Sequence, residues 1–208
     1  LAVTPFGIDA QSICGGNSDF LRQQHNVDGP VVLHLGMKAF EKGSETLVEA
    51  MKLLWSRGSR AWLVMAGPSL STFDDYIARA GKDCRHLLNL PPFAEHEKRD
   101  LLASATIVAQ PSRVESLGLV LLEAWANYKP VIAADIAVSR ELVAAGGGGV
   151  LVPFGKPEQL AGAIEKLLGD EPLRQRMGAG GYSQAMEYHG DTPWQRISQE
   201  FERLVHSQ

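Results

Sequence analysis

The sequence predicts an α/β fold: a doubly wound, Rossmann-like parallel sheet covered by helices on both faces, with extra helices at the C-terminus. Two observations carry this expectation. Short apolar runs alternate with helix-length segments of roughly 10–15 residues, the pattern of βαβ units. The runs also stop at Gly or Pro breaks, as strands feeding loops at one sheet edge do.

Taken in order, Leu1 to Asp9 read as a strand end and a turn, and Val31 to Leu35 as a β-branched strand ending at Gly36. Ser44 is placed to cap a helix from Glu45 to Ser56, with Glu45 in the acidic first turn and Gly58 just past the end. Ala61 to Ala66 form the next strand, stopped by Gly67-Pro68. A helix over Phe73 to Ala80, a strand over Arg85 to Asn89 and a helix over Glu95 to Ala103 follow. Ala105 to Ala109 read as a strand, broken by Pro111-Ser112 before a buried helix within Leu117 to Ala126. Pro130 to Ala133, Ser139 to Ala144 and Gly149 to Val152 give strand, helix and strand. Pro157 to Leu168, Glu171 to Met177 and Thr192 to His206 are helical. Gly146 to Gly149 read as a flexible loop, and Gly178, Gly180 and Gly181 as caps and linker between helices.

At 208 residues, with 45% hydrophobic and 21% charged residues, the chain suits one large domain with an ample core. A net charge of −4 gives no basic footprint for nucleic acid. The two cysteines, Cys14 and Cys84, lack metal-ligand spacing and read as structural thiols of a reducing compartment. No segment approaches the ~20 apolar residues of a membrane span, and no signal peptide is visible. Opening at Leu1 in mid-pattern, the chain reads as a piece of a longer polypeptide.

The most informative residue is Glu123, the one polar side chain in the run from Leu117 to Ala126. A carboxylate in apolar surroundings is costly unless something hydrogen-bonds to it. Eight residues earlier, Glu115 stands at the mouth of the strand-to-helix turn. Gly118 lets a ligand approach the backbone, and the Gly118 and Leu119 amides at the helix start can hold a diphosphate. Glu123 then suits a vicinal diol such as a ribose; its alternative partner is a lysine or a backbone amide. The loop from Gly36 to Gly43 also joins a strand to a helix and carries Lys38 and Lys42. It is no Walker A loop, because Glu41 stands where the second glycine belongs. The six histidines show no metal spacing, and His34 reads as a satisfied core residue.

In this order the pieces resemble the family 4 retaining glycosyltransferases of the GT-B fold (glycosyl transferases group 1), and in particular their C-terminal, donor-binding half. Pro5-Phe6-Gly7-Ile8-Asp9 resembles the family's interdomain link, Gly36 through Lys42-Gly43 its phosphate loop, and Pro111 through Glu123-Ala124 its Glu-x7-Glu motif. Lys129 to Ala133, Glu141-Leu142-Val143 and Gly149 to Pro153 continue the pattern, and Trp194 falls at the aromatic before the last helix. The resemblance implies Glu115 and Lys42 as catalytic residues. It implies a donor site of Gly36, Lys38, Lys42, Leu90, Ser116, Leu117, Gly118, Leu119 and Glu123. It further implies residues 1–17 as linker and entry strand, 18–177 as the nucleotide-sugar-binding domain, and 178–208 as helices packing back on an N-terminal acceptor-binding domain of the same polypeptide.

The implied activity is transfer of a hexosyl group, with retention, from a nucleotide-sugar such as a UDP- or GDP-sugar to a sugar, lipid or other acceptor. No metal and no cofactor beyond the donor are implied. The implied location is the cytoplasm, including its inner membrane face, with membrane contact only through parts outside this chain. Four positions depart from the pattern: Met37 replaces an arginine, Ala137 and Val138 a glycine pair, and Leu90, before Pro91-Pro92, a strand-end glycine. They motivate an alternative, a non-catalytic nucleotide-sugar-binding or regulatory module. A dehydrogenase is disfavoured because no Gly-x-Gly-x-x-Gly follows the strand ending at Gly36.

Overall fold

The structure, a computed structural model, describes residues 7–190 and 192–206, with side chains at all of these except 82, 144–146, 192–194, 196, 200, 204 and 206. Leu1 to Phe6, including most of the expected link, and the Trp194 side chain lie outside the described residues.

Six strands form one sheet: β1 Val31–Leu35, β2 Trp62–Ala66, β3 Leu87–Leu90, β4 Ile107–Gln110, β5 Val131–Ala134 and β6 Gly149–Val152. All neighbours pair in parallel, in the order β3-β2-β1-β4-β5-β6. The predicted doubly wound sheet is therefore observed. Its strand order reverses between β1 and β4, and the crevice outside their C-terminal ends is where such sheets bind ligands.

The described helices are α1 Ala10–Ile13, α2 Phe20–His25, α3 Ser44–Ser56, α4 Ser71–Ala80, α5 Glu95–Ser104, α6 Leu119–Ala126, α7 Ala137–Gly146, α8 Pro157–Gly169, α9 Glu171–Met186 and α10 Thr192–His206. They cover both faces. On one, Leu47, Met51 and Leu54 of α3, Phe73 of α4 and Leu160, Ile164 and Leu167 of α8 pack on Val32, Leu63, Ile107 and Ile132. On the other, Leu101 and Leu102 of α5 and Leu121, Leu122 and Trp125 of α6 pack on Leu33, Val64, Val108 and Val131. Alternate residues of one strand thus serve opposite cores, which is why the strands read as unbroken apolar runs. No helix among the described residues is long and apolar enough to cross a membrane.

The structure corrects four local expectations. Residues 10–13, within the expected linker and entry strand, form a short helix, Asp9 capping α1 by accepting from the Gln11 and Ser12 amides. Ile8 makes only an isolated bridge to His189. Gly43, not Ser44, is the N-cap of α3; the Ser44 hydroxyl instead accepts the Ala39 N–H at 3.1 Å. Gly178 and Gly181 lie inside α9, which runs unbroken across the expected 177/178 boundary. They are small because α9 lies directly on α6: an added Cβ at Gly181 would stand 2.2 Å from Trp125 Cδ1, and at Gly178 2.2 Å from the Tyr128 carbonyl oxygen. Gly148 belongs to the same packing, its carbonyl accepting from Trp125 Nε1 at 2.9 Å; since Gly146 ends α7 and Gly149 opens β6, the expected four-glycine loop is reduced to Gly147 and Gly148.

Candidate donor crevice at the sheet switch point

The crevice is built by the loops that follow β1 and β4. After β1 the chain passes Gly36 (φ 117°) and a short 3-10 turn, Phe40–Lys42, to Gly43 (φ 69°), the N-cap of α3. After β4 it passes Pro111 and Ser112 to Gly118 (φ 75°), the N-cap of α6. An added Cβ at Gly43 would come within 2.3 Å of the Pro111 carbonyl oxygen, so the two loops touch only because a side chain is missing. The Arg113 amide completes the contact by donating to the Glu41 carbonyl at 2.8 Å.

Both α3 and α6 start beside these touching loops, and neither N-terminus has a side-chain cap. Their unsatisfied amides and dipoles favour an anion. Lys42 stands between them. Its ammonium donates to Glu115 Oε1 at 2.8 Å and, more weakly, to the Val114 carbonyl at 3.4 Å. The pair is partly open to solvent, with 34% and 23% of the two side chains exposed. The structure thus brings Lys42 and Glu115 together. Beneath Glu115 lies a cavity of about 120 Å3, lined by Gln110, Glu115, Ser116, Gly118, residues 119–121 and Ser139. Leu117 does not line it.

Glu123 sits one turn into α6 and has the lysine partner that was the alternative to a ligand diol. Lys98 of α5 donates to its Oε1 at 2.8 Å and reaches Glu95 at 3.0 Å. Burial alone would lower the Lys98 pKa, but the bonds to Glu123 and Glu95 outweigh it and hold the ammonium above the ordinary lysine value. Lys98 thus satisfies Oε1 of this acid in an apolar helix.

Lys38 is also relocated. It is 2% exposed, and its ammonium donates at 2.6 Å both to Asn89 Oδ1 and to the Leu90 carbonyl. Burial pushes its pKa down. Lys38 fastens the end of β3, so in this arrangement its ammonium is held by Asn89 and Leu90 and is not presented to a phosphate. Met37, at the arginine position, is exposed beside them.

His34 is the satisfied core histidine expected. Its Nδ1 lies 3.1 Å from the Ala109 carbonyl, which can only accept, and Nε2 lies 3.5 Å from the Ser44 hydroxyl. Gln110 ties the sheet at the same level, Nε2 donating to the Leu35 carbonyl at 2.7 Å. Sequence reasoning passed over Gln110, Ser139 and Lys98. A polar residue closing the apolar strand Ile107-Val108-Ala109 was the available signal for the first. Among the described residues no three His, Cys, Asp or Glu side chains cluster as metal ligands.

The family model described as Glycosyl transferases group 1 matches residues 17–184. The chain is 34% identical over 161 residues to the alpha-D-kanosaminyltransferase of Streptomyces kanamyceticus, covering 76% of this chain and 41% of that protein. It is 32% identical over 200 residues to the D-inositol 3-phosphate glycosyltransferase of Jonesia denitrificans, covering 89% and 47%. It therefore spans less than half the length of these relatives. Among solved structures, Anabaena HepE in complex with UDP and glucose superposes with a TM-score of 0.83 at 25% identity, covering 97% of this chain and 56% of that one. Sucrose-phosphate synthase from Thermosynechococcus elongatus shares the fold with a TM-score of 0.85 at 23% identity, covering 100% and 53%. So does the C-terminal domain of a Francisella tularensis group 1 glycosyl transferase, with a TM-score of 0.73 at 22% identity, covering 86% and 97%.

Proposed function

The chain belongs to the glycosyl transferases group 1 family, with the fold of a GT-B C-terminal domain, and on that premise we propose that it is the donor-binding half of a retaining, nucleotide-sugar-dependent hexosyltransferase. The observation that carries this reading is the uncapped N-terminus of α6 at Gly118, which lines the cavity shared with Glu115, the partner of Lys42. In this reading the donor diphosphate lies on the first-turn amides of α6, and Lys42 turns from Glu115 to its oxygens. Charge grows on the leaving diphosphate and, with opposite sign, on the sugar ring; preorganised donors and the Glu115 carboxylate stabilise both. Glu123 receives the ribose hydroxyls beside its bond to Lys98. Solved HepE holds UDP and glucose, which supports a nucleotide donor here as well.

The acceptor and its binding groups belong to the remainder of a longer polypeptide. Met37, Phe40, Leu70, Val114 and Leu119 are exposed apolar side chains on the loops and helix start at the sheet's C-terminal edge. An N-terminal domain closing over the crevice would cover them. Of the expected 178–208 segment, residues 178–186 complete α9 against α6, and α10 is left to reach towards that domain.

Isothermal titration of this chain with UDP and GDP tests the reading. Saturable binding at millimolar or lower ligand, lost in Lys42→Met, is the expected result; heats that do not saturate with either nucleotide would sink it. Met37 and the buried Lys38 favour one second reading, a binding module that has lost transfer. Sugar release from UDP-glucose or GDP-mannose by the complete polypeptide separates the two.

A further inference from the structure

The loop that carries Lys42 is tied to the sheet through a buried chain of polar groups. Ser44, the first residue of α3, and His34, in β1, are both fully buried. The Ser44 hydroxyl accepts the Ala39 N–H at 3.1 Å and lies 3.5 Å from His34 Nε2. On the other side of the ring, Nδ1 lies 3.1 Å from the Ala109 carbonyl of β4.

The chemistry of the groups fixes the direction of each bond. A carbonyl can only accept, so the ring proton belongs on Nδ1 and Nε2 offers a lone pair. Burial, by lowering the ring's pKa, keeps that neutral form. The Ser44 oxygen takes the Ala39 amide proton and has its own proton to give, and Nε2 is the acceptor beside it. Ala39 is in turn the hub of the loop, for its carbonyl accepts the Lys42 amide at 3.1 Å and the Ser44 amide at 3.3 Å. The chain thus runs from β4 through β1 and α3 to the turn Phe40–Lys42. At other points of the same loop, Lys38 is fastened to Asn89 and Leu90, and the Glu41 carbonyl accepts the Arg113 amide. Packing inside β1 asks only for an apolar residue at position 34. What the histidine adds is a polar link from Ala109 to Ser44.

We propose that His34 and Ser44 are positioning residues for the diphosphate site: they fix the turn Phe40–Lys42 so that the Lys42 ammonium reaches the donor's phosphates, while neither touches the ligand. The assignment rests on the donor reading given above. Aim matters at this point, because a displacement of about 1 Å in a group that meets a leaving diphosphate costs much of its effect.

The test measures UDP and UMP, and GDP and GMP, by calorimetry on this chain and on the variants Ser44→Ala and His34→Phe. The readout is the affinity ratio of each diphosphate to its monophosphate. That ratio isolates the outer phosphate, where the leaving charge grows, and divides out a general loosening of the fold. In both variants it is expected to fall roughly three- to tenfold, part of the worth of one hydrogen bond from a charged donor, with monophosphate affinity unchanged. An unchanged ratio in both variants, or equal losses for diphosphate and monophosphate, overturns the positioning role and leaves the donor reading standing. Failure of the unmodified chain to bind either diphosphate removes both. Ser44→Ala strands the buried Ala39 amide, so His34→Phe, which keeps a ring in β1 and the hydroxyl on Ala39, decides if the first variant folds poorly.

Discussion

Lys98 and Glu123 hold each other across the gap between α5 and α6, Nζ to Oε1 at 2.8 Å, with only 15% and 13% of their side chains exposed. Removing one partner of so shielded a pair strands the other charge, at a cost of about 3 kcal/mol. Lys98→Met is therefore expected to lower unfolding free energy by that order, measured in urea at neutral pH. The double variant Lys98→Met/Glu123→Leu should lose clearly less than the two single losses added together. Additive losses would mean the contact contributes nothing.

Lys42 and Glu115 are more open, and solvent weakens such pairs to below about 1 kcal/mol. Lys42→Met should therefore leave stability within that range yet weaken UDP or GDP binding at least tenfold. Glu115→Gln is expected to act in the opposite direction on the free nucleotide. It releases Lys42 from competition with the diphosphate, so nucleotide affinity rises while transfer by the complete polypeptide falls. Weaker nucleotide binding in Glu115→Gln would show that the acid supports the diphosphate site rather than competing for its lysine.

His34 sets an acid limit on stability. Burial lowers its pKa, the Ala109 carbonyl opposes that only in part, and the nearby cations Lys42 and Lys38 lower it further. In the folded protein the ring stays neutral below the usual histidine value, whereas in the unfolded chain it takes a proton near pH 6.5. The unfolded state then binds more protons, so this contribution is intact above about pH 6.5 and drains as pH falls, by at most about 1.4 kcal/mol per pH unit. Urea melts between pH 8 and 5 should show this slope as the difference between the wild-type chain and His34→Gln. Parallel pH profiles for the two would contradict it.

Much of the sheet was legible because strands buried on both faces leave unbroken apolar runs such as Val31 to Leu35, and helix-length segments must bridge them. The Glu115–Glu123 turn was legible for a related reason: an acid inside α6 is conspicuous against Leu121, Leu122 and Trp125. Its partner was not, since Lys98 is 25 residues earlier on a helix whose charges otherwise look solvated. Lys38 misled in the opposite direction. A loop lysine after a strand end suggests a phosphate, and nothing local reveals that Asn89 and Leu90 of another strand enclose its ammonium. Ser139 carried no pattern at all, because its environment is made by α6, the end of β4 and the turn at Glu115.

The glycines of α9 show the same gap between local and distant causes, and they give the sharpest packing prediction. By helix propensity, every internal Gly→Ala should stabilise by up to about 1 kcal/mol. Gly162 in α8 obeys that rule, since an added Cβ meets nothing within 4 Å. Gly162→Ala should raise the melting temperature by about 2–4 °C, the shift expected for such a gain in a domain of this size. Gly178 does not, because its Cβ would stand 2.2 Å from a backbone oxygen, that of Tyr128, which cannot rotate away. Gly181 faces Trp125, whose indole is pinned by its bond to Gly148. Overpacking of this kind costs about 1–3 kcal/mol before any strain on the turn at Tyr128, itself in the left-handed region at φ 56°. Gly178→Ala should therefore melt several degrees below the unmodified chain. If it instead melted above it, as Gly162→Ala is expected to, α9 would not be seated on α6 in this way.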